Sequence, residues 1–125
     1  MTDDRRRHGL SGEKLAAEHL ASNGYRILET NYKNRLGEID IVARDGRTLV
    51  FVEVKSRRSS RFGSARESIT PAKRRRISMV ALGYLKSNGG TRQKARFDVV
   101  ALDARSPEGD FRIEIIKNAF DLNYG

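Results

Sequence analysis

Five segments of the chain carry the apolar patterns that are typical of β-strands. They span residues 25–32, 36–43, 48–55, 96–102 and 111–116. The third is apolar at the consecutive positions Val50, Phe51 and Val52, which predicts a central strand covered on both faces. The fifth alternates between apolar and charged residues from Phe111 to Ile115, which predicts a strand with one face in solvent.

Two other segments have the composition and spacing of helices. The first, from Gly9 to about Asn23, is rich in Ala, Leu, Glu and Lys and is closed by Gly24. The second begins at Thr70-Pro71, an N-cap followed by proline at the first helical position, and runs to about Ser87. Its apolar stripe comprises Ile77, Val80, Ala81, Tyr84 and Leu85. The order α-β-β-β-α-β-β predicts an α/β fold, with a mixed five-stranded sheet and helices on both faces.

Composition limits the classes of protein that this chain can represent. Its 125 residues predict one domain over 9–125, behind a disordered polar tail at 1–8. Without cysteine there is no disulfide framework and no thiolate chemistry. No apolar run reaches the roughly 20 residues of a membrane span, and the N-terminus lacks a signal peptide's apolar core. We therefore expect a cytoplasmic protein that does not associate with membranes. The net charge of +9 predicts a polyanionic partner, nucleic acid first, or else serves solubility alone.

Candidate chemistry lies within the second and third predicted strands. They carry Glu38, Asp40, Glu53 and Lys55 among apolar neighbours. Acids inside apolar strands are costly unless protons, basic partners or a divalent cation compensate them. Two or three clustered carboxylates form a hard-oxygen site suited to Mg²⁺ or Mn²⁺. The alternative is that the acids form ion pairs with neighbouring basic residues such as Arg35.

The connection between these strands sets their register. Asp45-Gly46 is a strong signal for a two-residue hairpin turn. That turn would place Arg44 opposite Arg47, and it would bring the four charged groups to one face of the sheet. On the first helix, Glu13 lies within the inward face of small residues. Glu13 is therefore a candidate for a further ligand or for orienting a metal-bound water.

These residues carry a resemblance to known nucleases. Asp40, a twelve-residue gap and Glu53-Val54-Lys55 resemble the Asp…Glu-x-Lys core of the restriction-endonuclease-like, or PD-(D/E)xK, superfamily. Ile39 stands where that motif has proline. A wider pattern resembles the bacterial YraN family, whose layout is similar to that of archaeal Holliday-junction resolvases. Its matching segments are Gly12-Glu13, Gly24-Tyr25, Asn31-Tyr32, Gly37-Glu38-Ile39-Asp40, Val50 to Lys55 and Phe62-Gly63.

The resemblance implies a restriction-endonuclease-like fold and roles for individual residues. It implies that Asp40 and Glu53 ligate Mg²⁺ or Mn²⁺, with the Val54 carbonyl as a third ligand. It implies a catalytic role for Lys55 and a supporting role for Glu13 as an acid and metal ligand. Glu38 has no counterpart in the minimal motif, so we expect it to be auxiliary.

Basic residues cluster around this predicted site. The candidates for phosphate contacts are Arg35, Arg57, Arg58, Arg61, Lys73, Arg74, Arg75 and Arg76. Arg75 and Arg76 point away from the apolar stripe of the second helix, whose N-terminus also attracts phosphate. The alternative is an ordinary solvated helix face. No pattern for reading base edges is visible, so we expect recognition by shape or backbone.

Together these features predict a Mg²⁺-dependent, structure-selective DNA endonuclease acting on branched or duplex DNA. One alternative is a nucleic-acid-binding protein that keeps the fold without cleaving, and another is an RNA-directed nuclease. The resolvase resemblance also points to a two-fold homodimer. The segments 111–116 and 118–122 either supply its interface or cap the core.

Overall fold

The computed structural model describes residues 12–57, 67–105 and 111–121. Their elements, in chain order, are α1 (Gly12–Ser22), β1 (Arg26–Asn34), β2 (Gly37–Asp45), β3 (Thr48–Arg57), α2 (Pro71–Ser87), β4 (Ala95–Ala104) and β5 (Phe111–Phe120). The predicted order of helices and strands is confirmed. The predicted tail at 1–8, most of the loop after β3 and the turn before β5 lie outside the described residues. Neither helix in the described part of the chain has the length and apolar character that a membrane span requires.

The five strands form one mixed sheet in the order β1-β2-β3-β4-β5. Strands β3 and β4 are parallel, and every other neighbouring pair is antiparallel. The parallel pair is connected through α2, because parallel neighbours need a long crossover. β3 occupies the centre of the sheet, as its continuous apolar run predicts.

Each face of the sheet carries its own apolar core. On one face, Ile77, Val80 and Tyr84 of α2 pack over Phe51 and other strand residues. On the opposite face, Ala16 and Leu20 of α1 pack over β2, β3 and β4. The prediction of a mixed five-stranded sheet with helices on both faces is therefore confirmed, and the apolar stripe predicted for α2 is buried in full.

The start of α2 is fixed by its cap. The side chain of Thr70 accepts a hydrogen bond from the backbone N–H of Lys73 at 3.2 Å, and Pro71 occupies the first turn. Such a cap satisfies one of the orphan donors of a helix N-terminus. It also places Lys73 in the first turn of α2, which matters for the site described below.

The predicted hairpin register is wrong by two residues. Asp45 pairs with Thr48, so the turn consists of Gly46 and Arg47 rather than Asp45 and Gly46. Gly46 has φ 62°, a conformation that favours glycine at the first position of a two-residue turn. Asp45 is instead held by Arg96, whose Nη2 lies 2.6 Å from its Oδ2. A register shift of two keeps the face of each side chain but changes its partner.

The last part of β5 belongs to the core. Ala119 and Phe120 are buried, and the ring of Phe120 stacks on Phe97 with centroids 4.6 Å apart. Of the two open alternatives for this segment, these two residues follow the one that caps the core. The homodimer stays a prediction.

Candidate active site

Asp40 lies at the end of the sheet toward which β3 runs. Its Oδ2 accepts a hydrogen bond from the backbone N–H of Val54 at 2.8 Å. The ladder between β2 and β3 has its last recorded pair at Ile41 and Val52. Beyond that pair, the side chain of Asp40 continues the connection between the two strands.

The environment of Asp40 favours its neutral form. The pKa of Asp40 is raised from 3.8 to about 6 by burial and by the neighbouring Glu13 and Glu38, while the hydrogen bond from the Val54 N–H acts in the opposite direction. The structure thus brings Glu13 of α1 within electrostatic reach of Asp40. This arrangement agrees with the prediction that Glu13 lies on the inward face of the first helix.

Glu53 is the second buried carboxylate of the site. Burial and the charge of Asp40 raise the pKa of Glu53, while its contact with Lys73 lowers it. The Nζ of Lys73 lies 2.6 Å from Oε2 of Glu53, whose side chain is 11% exposed. Asp40 and Glu53 are therefore close enough to repel each other, and one lysine from the capped first turn of α2 partly compensates them.

The two layers of the protein both contribute to this site. Glu53 and Lys55 lie beside Val99 and Ala101 in the parallel ladder, and both of these neighbours belong to the core under α2. The single-face placement predicted for Glu53 and Lys55 is thus confirmed. Glu13, by contrast, comes from α1 on the other face.

The regular alternation of β2 does not hold across Asp40. Ile39 belongs to the core under α2, whereas Ile41 belongs to the core under α1. Residues two apart in a regular strand share a face. The interruption places Asp40 where Glu13 on α1 raises its pKa and where its own charge raises the pKa of Glu53 on β3. The prediction that all four charged groups share one regular face of the sheet is therefore wrong for β2.

Lys55 and Glu38 lie at the border of the carboxylate pair. Lys55 is half-buried, and its side chain makes no hydrogen bond or ion pair with the residues that the structure describes. Glu38 is exposed, and its charge raises the pKa of Asp40 less than that of Glu13 does. A half-buried lysine without a carboxylate partner retains its donors for a ligand.

The residues of the site fit a divalent cation. Within 12–57, 67–105 and 111–121, no three histidine, cysteine or acidic side chains are grouped as a metal cage. Mg²⁺ does not require one, because it is commonly held by one or two carboxylates together with waters and substrate phosphates. Asp40 and Glu53, two half-buried carboxylates close enough for the charge of Asp40 to raise the pKa of Glu53, match that donor set. Val54, whose carbonyl would be a further oxygen donor, directly follows Glu53 in the chain.

The predicted phosphate-binding cations separate into two groups. Arg57 and Arg74 are engaged by the fold. Nε of Arg57 lies 2.8 Å from Oδ1 of Asp103 and its Nη2 lies 3.0 Å from Oδ2, which is a two-point contact. Nε of Arg74 donates to the carbonyl of Ile69 at 2.9 Å, and its guanidinium lies over the ring of Phe120.

The other predicted phosphate-binding residues are, for the most part, exposed where the structure describes them. Arg35, Arg75 and Arg76 are exposed, the two on α2 as the helical pattern predicts. Arg58 and Arg61 lie outside the described residues. Lys73 was expected to contact phosphate, and the structure places it on Glu53. No signal in the sequence specifies that pairing, since it depends on where the helix cap docks against the sheet.

A buried polar cluster at the opposite end of the sheet is absent from the sequence predictions. Asp98 is fully buried and accepts hydrogen bonds from Tyr25 Oη at 2.7 Å, Arg96 Nε at 2.9 Å and the Asn118 N–H at 3.0 Å. Burial raises the pKa of Tyr25 well above its usual value. Because each partner is satisfied, this cluster stabilises the junction of α1, β2, β4 and β5.

Fold and site together define an α/β protein in which β2 and β3 carry two half-buried carboxylates at one end of the sheet. The model of the family described as "Uncharacterised protein family UPF0102" matches residues 12–102. The chain belongs to this family, and the family membership predicted from its residues is confirmed. It is similar to UPF0102 proteins of Syntrophus aciditrophicus (strain SB), at 55% identity over 119 residues, and Symbiobacterium thermophilum, at 48% over 115. The alignments cover 95% of this chain and 92% of the first relative, and 92% and 97% for the second.

Proposed function

We propose that this protein is a metal-dependent, structure-selective endonuclease of the restriction-endonuclease-like superfamily that hydrolyses phosphodiester bonds in branched DNA. The observation that carries the proposal is the pairing of Asp40 with Glu53. Asp40 and Glu53 are both half-buried, the charge of Asp40 disfavours ionisation of Glu53, and they lie at one end of the sheet in a chain of net charge +9. An acidic residue with a purely structural role is less costly in an exposed ion pair than in a half-buried position beside another acid. This arrangement therefore favours a site for a cation.

Within this proposal each side chain has a defined task. Mg²⁺ or Mn²⁺, when bound, would supply the positive charge that polarises a phosphate and makes a water acidic at neutral pH. Asp40 and Glu53 would hold it, with the Val54 carbonyl as a further oxygen donor. Lys55 donates hydrogen bonds to a phosphate oxygen, stabilising the negative charge that develops there. Glu13 acts through Asp40 and is a positioning residue rather than a group in contact with substrate.

The reaction is a hydrolysis and needs no other co-reactant. A water oxygen bonds to phosphorus while one P–O ester bond breaks, one water proton passes to solvent, and the leaving oxygen gains a proton. Lys55 lies on the same face as Glu53 and two residues farther along β3. This spacing, about 7 Å along a strand, allows one phosphate to lie between the lysine and the carboxylates.

Exposed cations on α2 extend the site toward a longer polyanion. Arg75 and Arg76 follow Lys73 in the first turns of the helix, whose N-terminus carries no acidic residue. Positive charge at that point complements a strand that leaves the carboxylate site. These contacts involve phosphate only, so they support selection by structure and not by base sequence.

Cleavage assays on labelled four-way junctions, flaps, linear duplexes and matched RNA, with Mg²⁺, Mn²⁺ or EDTA, test the proposal. We expect metal-dependent cleavage of branched DNA by the wild type and its loss in Asp40→Asn, Glu53→Gln and Lys55→Ala. Asp103→Asn is a control for an acid on the adjacent strand that serves Arg57. Cleavage that survives all three site substitutions would place the chemistry elsewhere.

One observation favours a second function, that of a nucleic-acid-binding protein without cleavage. The 2.6 Å contact between Lys73 and Glu53 occupies one of the two carboxylates. Under this alternative, the wild type binds branched nucleic acid with a steep salt dependence, cleaves none of the substrates with either metal, and Glu53→Gln changes affinity only slightly. Faster cleavage of RNA than of DNA in the same series would instead assign the RNA-directed activity.

A further inference from the structure

A pocket of about 310 Å³ lies between the β1–β2 turn and the outer side of α2. Its lining includes Leu36 from the turn and Met79 and Leu82 from the helix. Leu36 is 48% exposed and Met79 36%, and in the described part of the chain only Leu28 is a comparably exposed large apolar residue. Two of these three exposed side chains therefore border one pocket. A ligand that covers these side chains gains binding free energy, because their apolar surface is removed from water.

The side chain of Asn34 connects the two walls of the pocket, the β1–β2 turn and α2. Its Nδ2 donates to the carbonyl of Val80 at 3.3 Å, and its Oδ1 accepts from the N–H of Leu36 at 2.9 Å. Gly83 makes room for this amide, since a Cβ at that position would lie 2.8 Å from Asn34 Nδ2. Glycine inside a helix is less favourable than alanine, because it loses more conformational freedom on folding. Gly83 therefore lowers the stability of α2 at the position where Asn34 holds the β1–β2 turn and the wall of the pocket.

Positive charge surrounds this partly apolar pocket. Arg35, on the turn, and Lys86, in the last turn of α2, both line it and are exposed. The side chain of Arg76 lies close to Gly37, at the foot of the same turn. A partly apolar pocket of this size with cations around it complements an aromatic base carried on a phosphate backbone.

We propose that this pocket binds a single unpaired nucleobase next to a branch point in the substrate. The proposal rests on the proposed function, because it takes nucleic acid as the partner, and it names the structural feature by which branched DNA would be selected. Leu36, in the turn immediately before β2, precedes Asp40 by four residues, about 13 Å if the chain is fully extended. That length corresponds to about four nucleotide steps of 3.4 Å, so the base would be held a few nucleotides from the carboxylates.

Binding in EDTA tests the pocket separately from cleavage. The probes are a three-way DNA junction with one unpaired 2-aminopurine at the branch and a fully paired duplex of equal length. We expect the wild type to prefer the junction and to change its 2-aminopurine fluorescence. Leu36→Ala should weaken junction binding about tenfold while duplex binding changes little, because several buried carbon atoms are lost. Met79→Ala should act in the same direction.

Leu28→Ala is the matched control, because it removes the same atoms from a similarly exposed leucine of β1 that does not line the pocket. The proposal is overturned if Leu36→Ala and Leu28→Ala bind junction and duplex alike, even where the wild type cleaves DNA. It is also overturned if sedimentation shows a wild-type dimer that Leu36→Ala dissociates, since the pocket would then receive a second copy of the chain. Retained junction preference without cleavage would support the pocket while refuting the proposed endonuclease.

Discussion

The Nζ of Lys73 lies 2.6 Å from Oε2 of Glu53, and this contact links the first turn of α2 to the end of the central strand. The carboxylate is 11% exposed and the lysine 43%. The lysine therefore supplies a positive charge at the position where the proposed cation would bind. A lysine in the first turn works against the helix dipole, so its location is explained better by the carboxylate than by α2 itself.

Lys73 and a divalent cation should compete for Glu53. Replacing Lys73 by methionine keeps the apolar stem and removes the charge, so we expect Mn²⁺ to bind about fivefold more tightly, as expected for about 1 kcal/mol of lost repulsion. Calorimetric titration at pH 7.5 measures the affinity. Lys94→Met, which removes an equal charge from the exposed residue before β4, should leave it unchanged. Weaker Mn²⁺ binding by Lys73→Met would show that the lysine assists the cation instead.

Asp40 should reduce stability at neutral pH. Its pKa is raised from 3.8 to about 6 in the folded chain. A carboxyl group with a raised pKa stabilises the fold fully below its unfolded value, and this contribution is lost as the pH rises through 6. We therefore expect Asp40→Asn to increase the free energy of unfolding by about 2 kcal/mol at pH 7.5 and to have no effect near pH 4.

Urea unfolding at both pH values measures this difference, and Asp45→Asn supplies a control of opposite sign. The contact with Arg96 lowers the pKa of Asp45, so its contribution is present above the ordinary pKa and lost as the pH falls. Asp45→Asn should destabilise the protein at pH 7.5 and progressively less toward acid pH. A neutral-pH loss of stability in Asp40→Asn would indicate that the Val54 hydrogen bond outweighs the burial of charge.

Glu13 should control the pH at which the site accepts a cation. Its charge raises the pKa of Asp40 more than that of Glu38 does. Glu13→Gln should therefore shift the midpoint of pH-dependent Mn²⁺ binding to lower pH, and Glu38→Gln should shift it less in the same direction. Glu18→Gln, on the exposed side of α1, is the control. Equal midpoints for Glu13→Gln and Glu18→Gln would separate Glu13 from the site.

Periodicity predicts the fold well because each element of this chain has one consistent apolar pattern. Phe51 and its neighbours identify the central strand, and the stripe that includes Ile77 and Tyr84 identifies the buried face of α2. The hairpin register is not predictable at the same level. Asp45-Gly46 signals a turn correctly, yet Arg96, about fifty residues away, holds Asp45 in the strand and moves the turn by one position.

The candidate site is predicted less completely, because part of it depends on packing between layers. Strand alternation correctly groups Glu53 with Lys55. It does not predict the interruption at Asp40, where a side chain replaces a backbone partner for the Val54 N–H. It also cannot assign Lys73 to Glu53, since that contact depends on the docking of α2. Sequence patterns identify the candidate residues, whereas the packing of the helices on the sheet determines which charges compensate each other.

Neighbouring arginines on α2 should have different roles, which provides a test of the basic surface. Arg75 is exposed, so Arg75→Ala should leave the free energy of unfolding unchanged and reduce the salt dependence of nucleic-acid binding by about one unit of slope. Arg74 contacts the Ile69 carbonyl and the Phe120 ring. Arg74→Ala should therefore cost about 1–2 kcal/mol of stability.

Each variant is the control for the other, because both remove one positive charge from adjacent positions of the same helix. Urea unfolding and binding isotherms at several salt concentrations, measured on a junction in EDTA, provide the two readouts. If Arg75→Ala leaves the salt slope unchanged, the exposed side of α2 is an ordinary solvated surface and phosphate must contact the protein elsewhere. If Arg74→Ala changes the slope without loss of stability, its contacts with Ile69 and Phe120 are released when nucleic acid binds.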